Sequence, residues 1–337
     1  MTQAATEAYG LMIDGLNCAK PSREQWIRTL AGKVSAINLT IVRPNHDFEQ
    51  SMADLAATWK LIDDNADICF VARSAADIER ARATGRLAII MGSQNSMMAQ
   101  KDLRLLEILG RIGFRILQPV YNEKNEFGCG AVVEDDTGVT ERGREWAAKM
   151  NELGILIDLS HAGHKTAAGV IAASKRPIVF SHSNAKALCN SRRNIPDELI
   201  KAAADKGGSV GVTLWPPMVK HETRPTLDDF ANHVLHMVKT AGIEHVAFGS
   251  DLSEGTYASA EHWLKCFGPE GMYPTVSGYQ VMGRWWVFEA RRTEGFETMA
   301  AVPQLWDTLR RRGLSQGDVE KIMGRNLLRV YRDVWGG

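Results

Sequence analysis

Three segments of this 337-residue sequence place metal- and proton-handling side chains directly after short apolar runs. They are Asp158-Leu159-Ser160-His161, Ser181-His182-Ser183 and Gly249-Ser250-Asp251. Two imidazoles and a carboxylate that converge suit zinc or a similar divalent ion, which takes imidazole nitrogen and carboxylate oxygen as ligands. A bound ion of this kind lowers the pKa of a water and polarises a carbonyl. One strand-end histidine alone reads better as a cap or a backbone hydrogen-bond partner. Two at equivalent strand ends, with an aspartate, favour a site. His46, His164, His221, His233, His236, His245 and His262 lack this placement and are assigned to surface or packing.

Other groups follow other apolar runs. Asp14-Gly15-Leu16-Asn17-Cys18 follows the first, Gln94-Asn95 the third and Tyr121-Asn122 the fourth. Arg192-Arg193 lies beyond the sixth, in a loop closed by Pro196-Asp197. A guanidinium there either binds a substrate carboxylate in bidentate fashion or belongs to a solvated pair. Tyr121 either donates to a substrate oxyanion or packs. Asn122 is carried as a substrate contact, although with Asn125 and Gly128 it also reads as part of a tight turn. The pairs Met97-Met98 and Trp285-Trp286 read as packing or loop anchors.

Strand ends converge only on a suitable scaffold. Eight apolar runs recur at 11–14, 35–42, 87–92, 114–120, 155–160, 177–181, 208–214 and 245–250. Most are short, aliphatic and closed by Gly, Ser, Asn or Pro, as buried parallel strands are. A ninth run, 68–71, reads as an extra or edge piece. Helical patterns lie between them at 22–31, 47–64, 75–84, 101–112, 139–153, 164–174, 196–206 and 227–241. Eight strand–helix units in series predict a (β/α)8 barrel, with its active site at the C-terminal ends of the strands. No linker divides the chain, so one domain is expected over 1–337. The barrel occupies about 9–250, and an aromatic-rich loop (252–288) and helices near 303–312, 315–323 and 325–334 follow as a C-terminal extension. That extension is expected to cap the barrel or to build a subunit interface.

Composition narrows the class. Lys+Arg and Asp+Glu both total 40, so no basic excess marks a nucleic-acid binder. No apolar run approaches the ~18–20 residues of a membrane span, and MTQAATEAYG does not read as a signal peptide. The five cysteines are scattered with no CxxC pair, which argues against a disulfide framework. A soluble, cytoplasmic protein that binds neither nucleic acid nor membrane is expected.

LIDLSH (156–161), VFSHSNAKALCNSRRNIPDELI (179–200) and GSD (249–251) resemble the membrane (renal-type) dipeptidase family, peptidase family M19. Weaker echoes occur at IDG (13–15), YNEKNEFGCG (121–130) and MGRNLLRVY (323–331), so the resemblance runs in order over nearly the whole chain. It implies an amidohydrolase-like barrel, two zinc ions in typical members, and hydrolysis of dipeptides, including some with a C-terminal D-residue. By position, His161 and His182 correspond to ligands of one zinc. Arg193 corresponds to the arginine that grips the substrate's C-terminal carboxylate, and Asp251 to the general acid/base by the metals. The resemblance also brings the expectation of a homodimer, with Trp285, Trp286 and the terminal helices as interface material.

Three departures qualify it. The family's first-strand His and Asp fall at Leu16 and Cys18, its bridging glutamate at Gln94, and a substrate-contacting histidine at Tyr121. Two dications ~3.5–4 Å apart need anionic ligands to offset their repulsion. At most one divalent metal is therefore expected, with zinc first among the choices. His161 and His182 would hold it, with Gln94 through its amide oxygen and Asp251 nearby. Cys18 is either a thiolate ligand or a small buried apolar residue. Because His161, His182, Arg193 and Asp251 stand together, a repurposed site is inferred rather than a decayed one. The expected function is metal-assisted hydrolysis of a dipeptide or a small carboxylate-bearing amide. The alternatives are a mononuclear or metal-free enzyme (a lyase or C–N cleavage) acting on a small carboxylate, and a non-catalytic binding protein.

Overall fold

The computed structural model describes residues 9–271 and 279–336. Residues 1–8, part of the expected aromatic loop (272–278) and residue 337 lie outside the described residues. Eight strands run parallel and in chain order: β1 (Ile13–Asn17), β2 (Ala36–Thr40), β3 (Leu87–Ser93), β4 (Phe114–Leu117), β5 (Leu156–Asp158), β6 (Ile178–Phe180), β7 (Ser209–Val212) and β8 (Val246–Phe248). β8 returns to β1 through a parallel bridge between Asn17 and Leu252, with Asp251 N–H donating to Leu16 O at 3.0 Å. The expected (β/α)8 barrel is therefore present. The weak run at 68–71 forms a short strand, Cys69–Val71, that pairs with β3 from outside the barrel path.

The helices start where polar caps permit. Ser22, Asp47, Ser74, Thr140 and Thr226 each accept a backbone N–H in the first turn of the helix that follows. Such caps satisfy donors that a helix start leaves orphaned. Two apolar layers result. The larger lies between the strands and the outer helices and includes Trp26, Phe114, Trp146, Phe230 and Phe248. The smaller joins inward-facing Ile13, Ala36, Ala88, Ile116, Leu156, Val179 and Ala247 to Leu327, Leu328, Tyr331 and Val334.

The last four belong to the C-terminal helix, Asn326–Trp335. Asn326 Nδ2 donates to Ile243 O and Val246 O, and Trp335 Nε1 to Arg115 O, all near strand starts. This helix closes the end of the barrel opposite the strand C-termini. Its apolar face is spent inside the chain, which removes that face from the interface material expected of the extension. Trp286 is likewise buried, in a cluster with Trp263, Cys266, Phe267 and Met282, and Trp285 Nε1 donates to His221 O at 2.7 Å. Both tryptophans anchor their own loop. No helix among the described residues is long and apolar enough to cross a membrane.

Candidate functional site at the barrel mouth

Tight backbone approaches fix the mouth. A Cβ at Gly249 would lie 1.9 Å from Ser181 O, and one at Gly130 would lie 2.2 Å from the backbone of Asn122. Only glycine lets β8 and the loop after β4 come that close. Two residues beyond Gly249, Asp251 has φ +49°, a left-handed conformation uncommon outside glycine.

His161 and His182 leave β5 and β6 side by side, both buried, with their Nε2 atoms 3.1 Å apart. Its other nitrogen shows which tautomer His182 adopts. His182 Nδ1 lies 2.7 Å from Ser181 Oγ, and the Ser181 hydroxyl donates to Asp158 Oδ2 at 2.5 Å. With that proton committed, His182 Nδ1 must donate. Asp158 is further held by Ser160 Oγ at 2.6 Å and Gln118 Nε2 at 2.6 Å. His161 meets an amide oxygen at each ring nitrogen, Asn122 Oδ1 at Nδ1 and Gln94 Oε1 at Nε2, both at 2.8 Å, and its one ring proton is donated to one of them. The His182 Nε2 lone pair therefore points at the His161 ring and the Arg193 guanidinium. Burial, and then the nearby Arg193 guanidinium, pushes both imidazoles well below the usual histidine range, so both rings are uncharged at neutral pH.

Gln94 Oε1 lies 2.8 Å from His161 Nε2, while its Nε2 donates to Thr40 Oγ1 at 3.0 Å and to Cys18 Sγ at 3.1 Å. The Cys18 thiol donates to Asp251 Oδ1 at 3.3 Å. Burial and the Asp251 charge push that thiol well up, so Cys18 is protonated. Burial also lifts Asp251 to about 6, against the opposing pull of Arg193 and Cys18. Arg193 is buried, with Nη2 3.1 Å from His182 Nε2 and Nη1 donating to Ser160 O. Tyr121 stacks on the His161 ring, with centroids 4.1 Å apart and planes at 25°.

The eight residues singled out thus gather at one mouth, in two groups joined by Gln94. His161, His182, Arg193, Tyr121 and Asn122 form the first, and Cys18 and Asp251 the second. Asn122 is engaged in orienting His161. Arg192 turns outward, to Val132 O at 3.0 Å and Glu134. Leu16 is buried and offers no ligand atom.

Cys18, Gln94, Tyr121, Asn122, His161, Arg193 and Asp251 line a cavity of about 570 Å³, with the fully buried His182 behind His161 and Arg193. Sequence reasoning missed much of its wall. Arg43, Pro44, Asn45 and His46 come from the loop after β2, and Trp215, Tyr257, His262 and Phe267 from the loops after β7 and β8. His46, half-buried, and His262, exposed, lie on its wall as surface residues. Two strand-end signals were available, the positions after β2 and β7. The lid around 257–267 carries none beyond its aromatic content.

The donor set can be tested against a cation. Two metal–nitrogen bonds of ~2.0–2.1 Å at a tetrahedral angle put the nitrogens about 3.3 Å apart, close to the 3.1 Å seen here. Gln94 Oε1 adds a third acceptor, and hydrogen-bonded partners fix both imidazoles, as partners of metal-bound histidines do. Among the described residues, no cluster of three or more His, Cys, Asp or Glu is placed to hold an ion. The converging donors are two imidazoles and an amide.

An eight-stranded parallel barrel whose mouth presents paired imidazoles beside a carboxylate and an arginine defines an amidohydrolase-like protein. More narrowly, the chain belongs to the membrane dipeptidase family (peptidase family M19), which matches residues 20–264. It is 34% identical to an amidohydrolase of known structure from Pseudomonas aeruginosa, with a TM-score of 0.89 and full coverage of both chains. It is 29% identical over 275 residues to an uncharacterized dipeptidase of Schizosaccharomyces pombe, covering 80% of this chain and 58% of that one. The chain thus spans little more than half the length of that curated relative. A metallo peptidase from Rhodobacter sphaeroides, solved with a phosphinate mimic of the dipeptide L-Ala-D-Ala, shares the fold at a TM-score of 0.79 and 20% identity, with 97% and 100% of the two chains covered.

Proposed function

We propose that the protein is a metal-dependent hydrolase of the dipeptidase type that works with one divalent cation, zinc first. The convergence of the two Nε2 atoms, 3.1 Å apart, with Gln94 Oε1 carries this reading. His161, His182 and Gln94 Oε1 would hold the ion. When bound, the ion supplies a polarised carbonyl and a water of lowered pKa. A second ion has no carboxylate pair to hold it, since Leu16 is apolar, Cys18 a thiol and Gln94 an amide.

The remaining steps belong to the chain's own side chains. Asp251 accepts a proton from the attacking water and returns it to the leaving nitrogen. Its position near 6 suits both halves of that cycle. Arg193 binds the substrate carboxylate. Its contact with His182 Nε2 must open for that nitrogen to ligate, and the opening turns the guanidinium toward the cavity. Tyr121 holds the His161 ring in plane and borders the reacting carbonyl. The test is hydrolysis of dipeptides, L-Ala-D-Ala among them, before and after chelation and after zinc is restored. Turnover that disappears on chelation and returns with zinc supports the reading. Turnover indifferent to chelation refutes it.

A further inference from the structure

We propose, building on the hydrolase reading above, that the substrate is an N-acyl amino acid with a blocked α-nitrogen rather than a dipeptide with a free amino terminus. The charge of the cavity carries the argument. Among the described lining residues, Arg43 and Arg193 face a single carboxylate, Asp251. That carboxylate accepts the Cys18 thiol at 3.3 Å and lies in the field of Arg193. Around the reacting centre Gln94 is an amide and Leu16 a buried alkyl group, both neutral by their chemistry. With its carboxylate on Arg193, a dipeptide would bring an ammonium group to the other end of this pocket, beside a bound dication and with Asp251 as the one lining carboxylate. A buried cation without an anionic partner is strongly disfavoured. An acyl group brings no charge there.

The geometry also places the other end of the substrate. The residue after Arg193, Asn194, donates from Nδ2 to Met218 O at 2.8 Å, which ties the arginine's loop to the Trp215–Met218 turn. Trp215, Met218 and Phe267 line the same cavity as Arg193, so a substrate held there by its carboxylate has this apolar wall within the pocket. Trp215 is held edge-on to Trp286, with centroids 5.6 Å apart at 80°, and tilted against Phe267 at 5.3 Å. This rigid apolar wall fits an aromatic side chain on the carboxylate-bearing residue. In the reaction the amide C–N bond breaks and a C–O bond to water forms. One water proton passes through Asp251 to the leaving nitrogen, and the second passes from the new carboxylic acid to the released amine, giving a carboxylate and a zwitterionic amino acid with no change of oxidation state.

Acetyl-phenylalanine and glycyl-phenylalanine form a matched pair, because they differ only by an ammonium group in place of one hydrogen on the carbon next to the scissile carbonyl. Zinc-supplemented protein is expected to show kcat/KM at least about tenfold higher for the acetyl compound. Gln94→Glu, which returns a negative charge beside the centre, is expected to lower the acetyl-to-glycyl ratio whatever it does to the absolute rates. Equal or better turnover of glycyl-phenylalanine overturns this inference and leaves the hydrolase reading standing. An unchanged ratio in Gln94→Glu overturns the charge argument. Turnover of neither compound, nor of any dipeptide, overturns the hydrolase reading and this inference with it.

Discussion

Ser181→Ala is the most informative single change, because it alters the tautomer argument without touching a donor to the proposed ion. Ser181 Oγ accepts from His182 Nδ1 at 2.7 Å and donates to Asp158 Oδ2 at 2.5 Å. Removal leaves Asp158 with Ser160 Oγ, Gln118 Nε2 and the backbone N–H of residues 160 and 181, so that carboxylate stays satisfied. His182 Nδ1–H, in contrast, loses its buried acceptor. An orphaned buried donor costs about 1–3 kcal/mol, and the ring is then free to shed the tautomer that presents a lone pair at Nε2. Loss of such a supporting partner lowers metal affinity by roughly 10–100-fold, about 1.4–2.7 kcal/mol. Zinc titration against a competing chromophoric chelator measures this directly, with near-ultraviolet circular dichroism to show an intact fold. A folded Ser181→Ala protein that binds zinc as tightly as the parent refutes the reasoning.

His182→Ala should lose bound metal and activity together, read by elemental mass spectrometry beside initial rates. Asp251→Asn should keep the metal and lose roughly 10²–10⁴-fold in kcat; near-normal turnover would remove Asp251 from proton transfer. His233 is buried, and its imidazole is held at about 4, first by burial. Because the unfolded chain takes up that proton at higher pH than the folded one, stability is full above about 6.5 and falls as pH drops toward 4, by roughly 3 kcal/mol. A His233→Gln variant should flatten this slope in urea titrations across that range. Tyr331→Ala, beneath the barrel, should cost about 3–5 kcal/mol, whereas a helix resting loosely on the surface would lose far less.

The sequence announces the barrel because its signals are local. Apolar runs closed by Gly or Ser become strands, and Ser22, Asp47 and Thr226 begin helices within a residue or two of where the pattern places them. The histidines were legible because each follows such a run. What holds them was not. Asp158 and Ser181 read as ordinary strand-end residues, and only the pairing of β5 with β6 makes them a relay to His182. Arg43 to His46 reach the cavity because β2 lies between β1 and β3, a tertiary fact that no local spacing encodes. The C-terminal helix carries an amphipathic pattern that fits an interface equally well, and its seat under the barrel follows from the small inward residues Ala36, Ala88 and Ala247.

One cation held between His161 and His182 is the centre of the proposed chemistry. Metal content of the purified chain, compared with His182→Ala after identical zinc loading and desalting, tests it most directly. The account predicts about one zinc per chain in the parent and essentially none in the variant. A parent chain that retains no metal, or a His182→Ala chain that retains it in full, would contradict it.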